Sequence, residues 1–166
     1  IITHGMSMAN ASMVGQNMAA GRADRVRRSV RTCFILDLCV YGVFIAACLL
    51  IPKEIFSLFT TDPEVLAMAP TYLQIACIGF AASIFNASFN SVINGIGFTS
   101  LSMAIGLLDG VVARIAFSLL LGITFGMGLN GFFLGHSLAI WVTAILSFAY
   151  YISGHWQTHQ LVVNRR

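Results

Sequence analysis

Charge is what this chain has least of. Asp and Glu together number 6 and Lys and Arg 9 in 166 residues, so 9% of the chain is charged while 58% is hydrophobic. Soluble domains carry roughly a quarter charged residues, and a soluble protein of this length has too little interior to hide so much apolar surface. Prolines are scarce as well, with 3 in the whole chain, so little interrupts long helices. No nucleophile–base motif or phosphate-binding glycine loop is present, which points away from enzymatic chemistry. The four cysteines, Cys33, Cys39, Cys48 and Cys77, all lie inside apolar segments without metal-ligand spacing, and read as small packing residues. His155 and His159 stand four apart in the tail, but nothing completes a metal site around them. His4 is a lone histidine. Thus no cofactor is expected.

What remains is a set of long hydrophobic stretches, at about 1–19, 30–51, 63–93, 99–122 and 131–153, followed by a polar tail over 155–166. The second has 22 residues, which at ~1.5 Å rise makes ~33 Å, enough to cross a bilayer. The pattern predicts an all-α, polytopic membrane helix bundle of about five transmembrane helices, with lipid as its principal surroundings. Short links predict that consecutive helices are antiparallel neighbours. In the third segment Asp62 or Thr61 can cap, Pro63 suits the first turn and Glu64 favours the helix N-terminus. Pro70 predicts a kink, or a short outer helix ahead of the span. Thr99 is placed to cap the fourth.

Charge is also sorted along the chain. Arg22, Arg25, Arg27, Arg28 and Arg31 cluster between the first two segments, and Arg165 and Arg166 close the tail. Lys53 stands among Glu54, Asp62 and Glu64. If the cluster is cytoplasmic, alternation puts the 52–62 link outside and the tail inside. Seven of the nine basic residues then share the cytoplasmic face, as the positive-inside rule requires. A net charge of +3 concentrated in one stretch without aromatic interleaving gives no sign of nucleic-acid binding.

Several short patterns now fall in order. Val14-Gly15-Gln16-Asn17-Met18-Ala19-Ala20-Gly21 is followed by Arg22-Ala23-Asp24-Arg25. Phe59-Thr60-Thr61-Asp62-Pro63-Glu64-Val65 leads to Tyr72-Leu73. Then come Asn94-Gly95-Ile96-Gly97-Phe98-Thr99, Arg114-Ile115 and Gly128-Leu129-Asn130-Gly131-Phe132-Phe133. Each is common by itself. Their order and their spacing against the hydrophobic segments resemble multidrug and toxic compound extrusion (MATE) transporters along nearly the whole chain. The resemblance implies a twelve-helix, two-lobe protein exporting amphiphilic or cationic compounds against Na⁺ or H⁺ by alternating access. The five segments would be its helices 8–12, part of the C-terminal six-helix lobe in a cell membrane, with the C-terminus cytoplasmic. Ile1 opens within what reads as a helix, so an N-terminal lobe of the same chain is expected upstream, and the segment alone is not expected to transport. Sodium-coupled relatives place acids on helices 7 and 10, but the third segment has none after Glu64, so no cation ligand carries over. Arg114-Ile115-Ala116 also lacks the proline that often follows in relatives. Two rival readings stay open: a flippase for lipid-linked oligosaccharides of a related branch, and a membrane structural subunit without a transport cycle.

Ionisable groups inside hydrocarbon are costly and ordinarily face a bundle interior or a wet cavity. Asp37, Asp109 and Arg114 fall in this class. Counted from the expected helix ends, Asp37 lies roughly 10 Å deep and Asp109 roughly 15 Å. Either aspartate can be a proton or cation carrier. Alternatively, Asp109 and Arg114 belong to a structural network, and Asp37 pairs with the arginine cluster. A spacing of five is poor for an ion pair along one α-helix, and Arg114 reads as structural. Gly79, Ser83, Asn86, Asn90 and Asn94 share a face within about 80°, so the asparagines meet another helix or line a cleft. The first segment shows two lines, Thr3–Asn10–Asn17 and Gly5–Ala9–Ser12–Gln16, suited to close packing or to a cleft wall. Met6, Met8, Met13 and Met18 fill core or form a pliable surface. Asp37, Asp109, Asn86, Asn90, Asn10 and Gln16 are therefore the candidate cleft residues.

Overall fold

A computed structural model describes residues 2–158. Helix α1 spans Ile2–Ala19, α2 Ala23–Leu50, α3 Pro52–Ser57 and α4 Pro63–Gly95. Helix α5 covers Thr99–Thr124 and α6 Gly128–Ser153, and a 3₁₀ turn at His155–Gln157 follows. Helices α2, α4, α5 and α6 are long and apolar enough to cross a membrane. The expected fifth span, α1, is equally helical, yet Asn10, Gln16, Asn17 and three further hydroxyl residues keep it too polar to qualify.

The arginine cluster is not a loop. Only Ala20–Arg22 separate α1 from α2, and Gly21, at φ +67°, turns the chain. Arg25, Arg27, Arg28 and Arg31 ride on the first turns of α2, beside Asp24. Alanine and arginine favour helix, and Val26, Ser29, Val30, Cys33 and Asp37 make a buried stripe at helical spacing. That stripe holds these turns to the bundle.

Pro70 does not split α4, which continues through it. It sits near the N-terminal end, where its missing amide removes one bond from a long ladder. The short outer helix is α3 instead, opened by Pro52. Asp62 caps α4 as expected, accepting from the Glu64 amide at 2.9 Å. Thr99 does not cap α5; Phe98 holds that position and makes no side-chain cap bond. Two π-helical stretches, Leu108–Ala113 and Leu120–Thr124, interrupt α5.

Alternation of the helices is visible in what meets at each end. Val14, Val26, Val92, Ile96 and Trp156 share one buried cluster, so the α1–α2 turn, the α4–α5 turn and the end of α6 lie together. Arg27 Nη2 donates to Gln157 Oε1 at 3.1 Å across that end. Phe56, Tyr72 and Phe133 stack edge to face at the other end, near Lys53 and Glu54 on α3. Arg165, Arg166 and His159 lie outside the described residues. Close backbone approach tightens both ends. A Cβ on Gly95 would stand 2.5 Å from the Ala11 carbonyl oxygen, and one on Gly131 2.5 Å from that of Leu121. Small residues allow such contacts in membrane bundles. Gly5, Ala9, Ser12 and Gln16 take no part in the α1–α4 seam and lie towards the open side of α1. The outer faces stay apolar, with Val43 and Leu50 largely exposed, as a lipid-facing surface requires.

Candidate functional site

The buried stripe of α2 carries Asp37 half-way along the helix, at 0% exposure. Helix α2 begins seven residues before the expected 30, so Asp37 lies about 21 Å from the helix start at ~1.5 Å per residue. Ser88 Oγ of α4 donates to its Oδ2 at 2.9 Å, and Cys33 Sγ donates to the same oxygen at 3.5 Å. Oδ1 has no hydrogen-bond partner. Among the described residues no basic side chain lies within ion-pairing distance of Asp37; the arginine-cluster pairing is not formed.

Around this carboxyl, α1, α2 and α4 share a polar seam. Asn10, itself buried, donates from Nδ2 to Ser91 Oγ at 2.7 Å, and its Oδ1 accepts from Ser29 Oγ. Ser91 Oγ donates to the Ser88 carbonyl at 2.6 Å. Ser7 Oγ donates to the Ala87 carbonyl at 2.9 Å. These neighbours satisfy one another, and among the described residues no basic side chain pairs with the acid. Burying an isolated carboxylate costs many times a hydrogen bond.

Asp109 is built differently. Its Oδ1 meets Arg114 Nη2 at 3.3 Å, with the side chains 16% and 36% exposed. Five residues separate them, a spacing that suits an α-helix poorly. The π turn is what brings them together: the Arg114 amide bonds the Asp109 carbonyl, an i to i−5 step, so residues five apart stack on one face. Arg114 Nε is buried without a partner. His136 of α6 lies within electrostatic reach of both. It lines a cavity of about 410 Å³ together with Tyr72, Phe80, Ser118 and Phe132. No pattern singled out His136, although the rule that selected Asp37, an ionisable group inside an apolar span, applies to it equally.

Asn86 and Asn90 stand on the far side of α4 from Ser88. Gly79, on their face, abuts Ser137 and Ile140 of α6, and nine residues of helix put Ser88 about 180° away. Both asparagines are half-buried with their Oδ1 atoms unpaired. The parallel register of α4 and α6, seen where Phe85 meets Trp141 and Phe89 meets Tyr151, brings Thr143 and Ser147 to the same levels. Those two hydroxyls are buried and unpaired as well. Gln16 is exposed and its amide reaches only Ser12 Oγ, at 3.4 Å. The six candidates therefore occupy four places: Asp37 with Asn10, Asp109 with Arg114, Asn86 with Asn90, and Gln16 alone. Among the described residues no three His, Cys, Asp or Glu side chains converge as a metal site would need.

Comparison with known proteins gives this arrangement a context. The chain is 23% identical over 162 residues to a probable multidrug resistance protein NorM of Thermotoga maritima, covering 98% of the chain and 35% of the relative. It is 24% identical over 146 residues to Protein DETOXIFICATION 15 of Arabidopsis thaliana, covering 87% of the chain and 30% of that protein. It thus spans about a third of the length of these relatives. Among solved structures, an inward-facing multidrug resistance MATE family transporter of the MOP superfamily superposes with a TM-score of 0.79 at 20% identity, over 90% of this chain and 33% of that one. A crystal structure of a MATE point mutant gives 0.78 at 19% identity, over 90% and 33%. The helical packing just described is thus part of a MATE transporter fold. With the MatE family model also matching residues 1–120, the chain is a multi-pass membrane protein that belongs to the MATE transporter family.

Proposed function

We propose that the full-length protein of which this chain forms part exports amphiphilic or cationic small molecules in exchange for Na⁺ or H⁺, by alternating access. The chain corresponds in this reading to helices 8–12 of the C-terminal lobe, set in the cell membrane with its C-terminus in the cytoplasm. The basic residues of α2 gathered at the same end as the Gly154 turn support that orientation. The multidrug role of the Thermotoga maritima relative supports the substrate class.

Asp37 is the carboxyl that changes state in the transport cycle. The observation that carries this is its complete burial in a spanning helix with one oxygen unpaired and, among the described residues, no countercharge. Binding and release of a cation or proton there alters the cost of burying the α1–α2–α4 seam, and a rocking transporter can exploit such a change. Asp109, neutralised by Arg114, holds α5 together and does not cycle. The test is efflux of a cationic dye by cells or proteoliposomes containing the full-length protein. Asp37→Asn should abolish ion-driven efflux while the protein still reaches the membrane. Transport at the parental rate by this variant would refute the assignment.

A further inference from the structure

Between α1 and α2, beside the Asp37 seam, lies a trough of about 540 Å³ that is open along one side. Its walls are Met6, Met13 and Leu36, and its mouth, at the arginine-bearing end of the bundle, carries Arg25 and Arg28. The two helices run antiparallel, as Met13 beside Ser29 and Thr3 beside Tyr41 show. Eleven residues of α2 separate Arg25 from Leu36, so the trough is ~16 Å long at ~1.5 Å per residue. It opens sideways: Met13 and Leu36 are each 49% exposed.

Charge makes the mouth one-sided. Among the described residues neither Arg25 nor Arg28 has a carboxylate within ion-pairing distance, and Asp24, one turn from Arg28, does not pair with it. No acidic side chain lines the trough. Two guanidinium groups side by side match a phosphate diester. An unbranched thioether wall adapts to a flexible hydrocarbon tail, and such a volume is typical of small-molecule sites. We infer that this trough binds one anionic phospholipid, its headgroup phosphate between Arg25 and Arg28 and an acyl chain along Met6, Met13 and Leu36. Basic recesses between membrane helices at the headgroup level recognise anionic lipids on these grounds.

The test uses the full-length protein in phosphatidylcholine nanodiscs containing a minority of phosphatidylglycerol, with retained lipid counted by native mass spectrometry. The parent should keep one phosphatidylglycerol after stripping. Arg25→Gln/Arg28→Gln should reduce that retention by about tenfold or more, as expected for removing two basic groups from an anionic headgroup. Arg22→Gln/Arg31→Gln makes the same change of charge outside the trough and should retain it. Ala9→Trp narrows the trough with both arginines kept, and should lose the lipid. Equal retention by the Arg25/Arg28 and Arg22/Arg31 pairs would overturn the inference, and so would displacement of the lipid by free glycerol phosphate. A Met13→Cys thiol, in a background lacking the native cysteines, should react with a lipid-dissolved maleimide once the bound lipid is stripped. Protection after stripping would show that another part of the full-length chain fills the trough, and would equally overturn the inference.

Discussion

Asp37 and Asp109 are both aspartates in apolar spans, and the protein treats them in opposite ways. Asp109 carries its own counterion: the π turn in α5 stacks Arg114 onto it. Among the described residues Asp37 has only the hydroxyl of Ser88 and the thiol of Cys33, both directed at one oxygen. Neutral donors soften the burial of a carboxylate without cancelling its charge. An acid paired with an arginine is spoken for, and an entering cation must compete with a fixed one. An acid without a counterion responds to whatever cation or proton reaches it. Position in the membrane is therefore a poor guide to role. The immediate neighbours decide it.

The sharpest way to break this contrast is to neutralise each acid in the full-length protein. Asp37→Asn should lower ion-driven dye efflux by about tenfold or more, whereas Asp109→Asn should leave it within about twofold. A larger loss at Asp109 would invert the comparison. Next in size is Arg114→Leu, which strands a partly buried carboxylate. Thermal unfolding in detergent should show a loss of about 1–2 kcal/mol, recovered in large part by adding Asp109→Asn. If the double variant is no better than the single, the pair is not the source of the effect. Ser88→Ala removes one neutral hydrogen bond to Asp37 and should cost about 1 kcal/mol in the same unfolding assay. Smallest is Gln16→Ala on the open side of α1, expected within about 0.5 kcal/mol of the parent in stability. A drop in efflux for that stable variant would place Gln16 on the transport path.

Much of the bundle could be read from the chain because membrane spans obey a one-dimensional rule. Enough apolar residues in succession make a helix that crosses lipid, and α2, α4, α5 and α6 were found on that basis. The beginning of α2 was misplaced because a basic run looks like a loop. Whether it is one depends on Val26 and Val30 finding a buried partner surface. At Pro70 a local rule allowed a kink or a separate outer helix, and α4 runs through it as one helix. Asn86 and Asn90 were correctly seen to share a face, but which neighbour that face meets is not a property of one helix. Here it meets α6, with Ser88 and Asp37 on the opposite side of α4.

Composition and hydropathy by themselves determined that this is a membrane-embedded helical bundle, and the order of its short patterns pointed to the family. They also determined which ionisable groups are stranded in the spans, because desolvation depends on sequence position along a helix. The tertiary structure alone decided what each of those groups touches. A π turn outside any propensity rule paired Asp109 with Arg114, and the packing of α2 on α4 set Ser88 against Asp37. Charge compensation acts over a few ångströms in three dimensions, a distance that the linear chain does not encode.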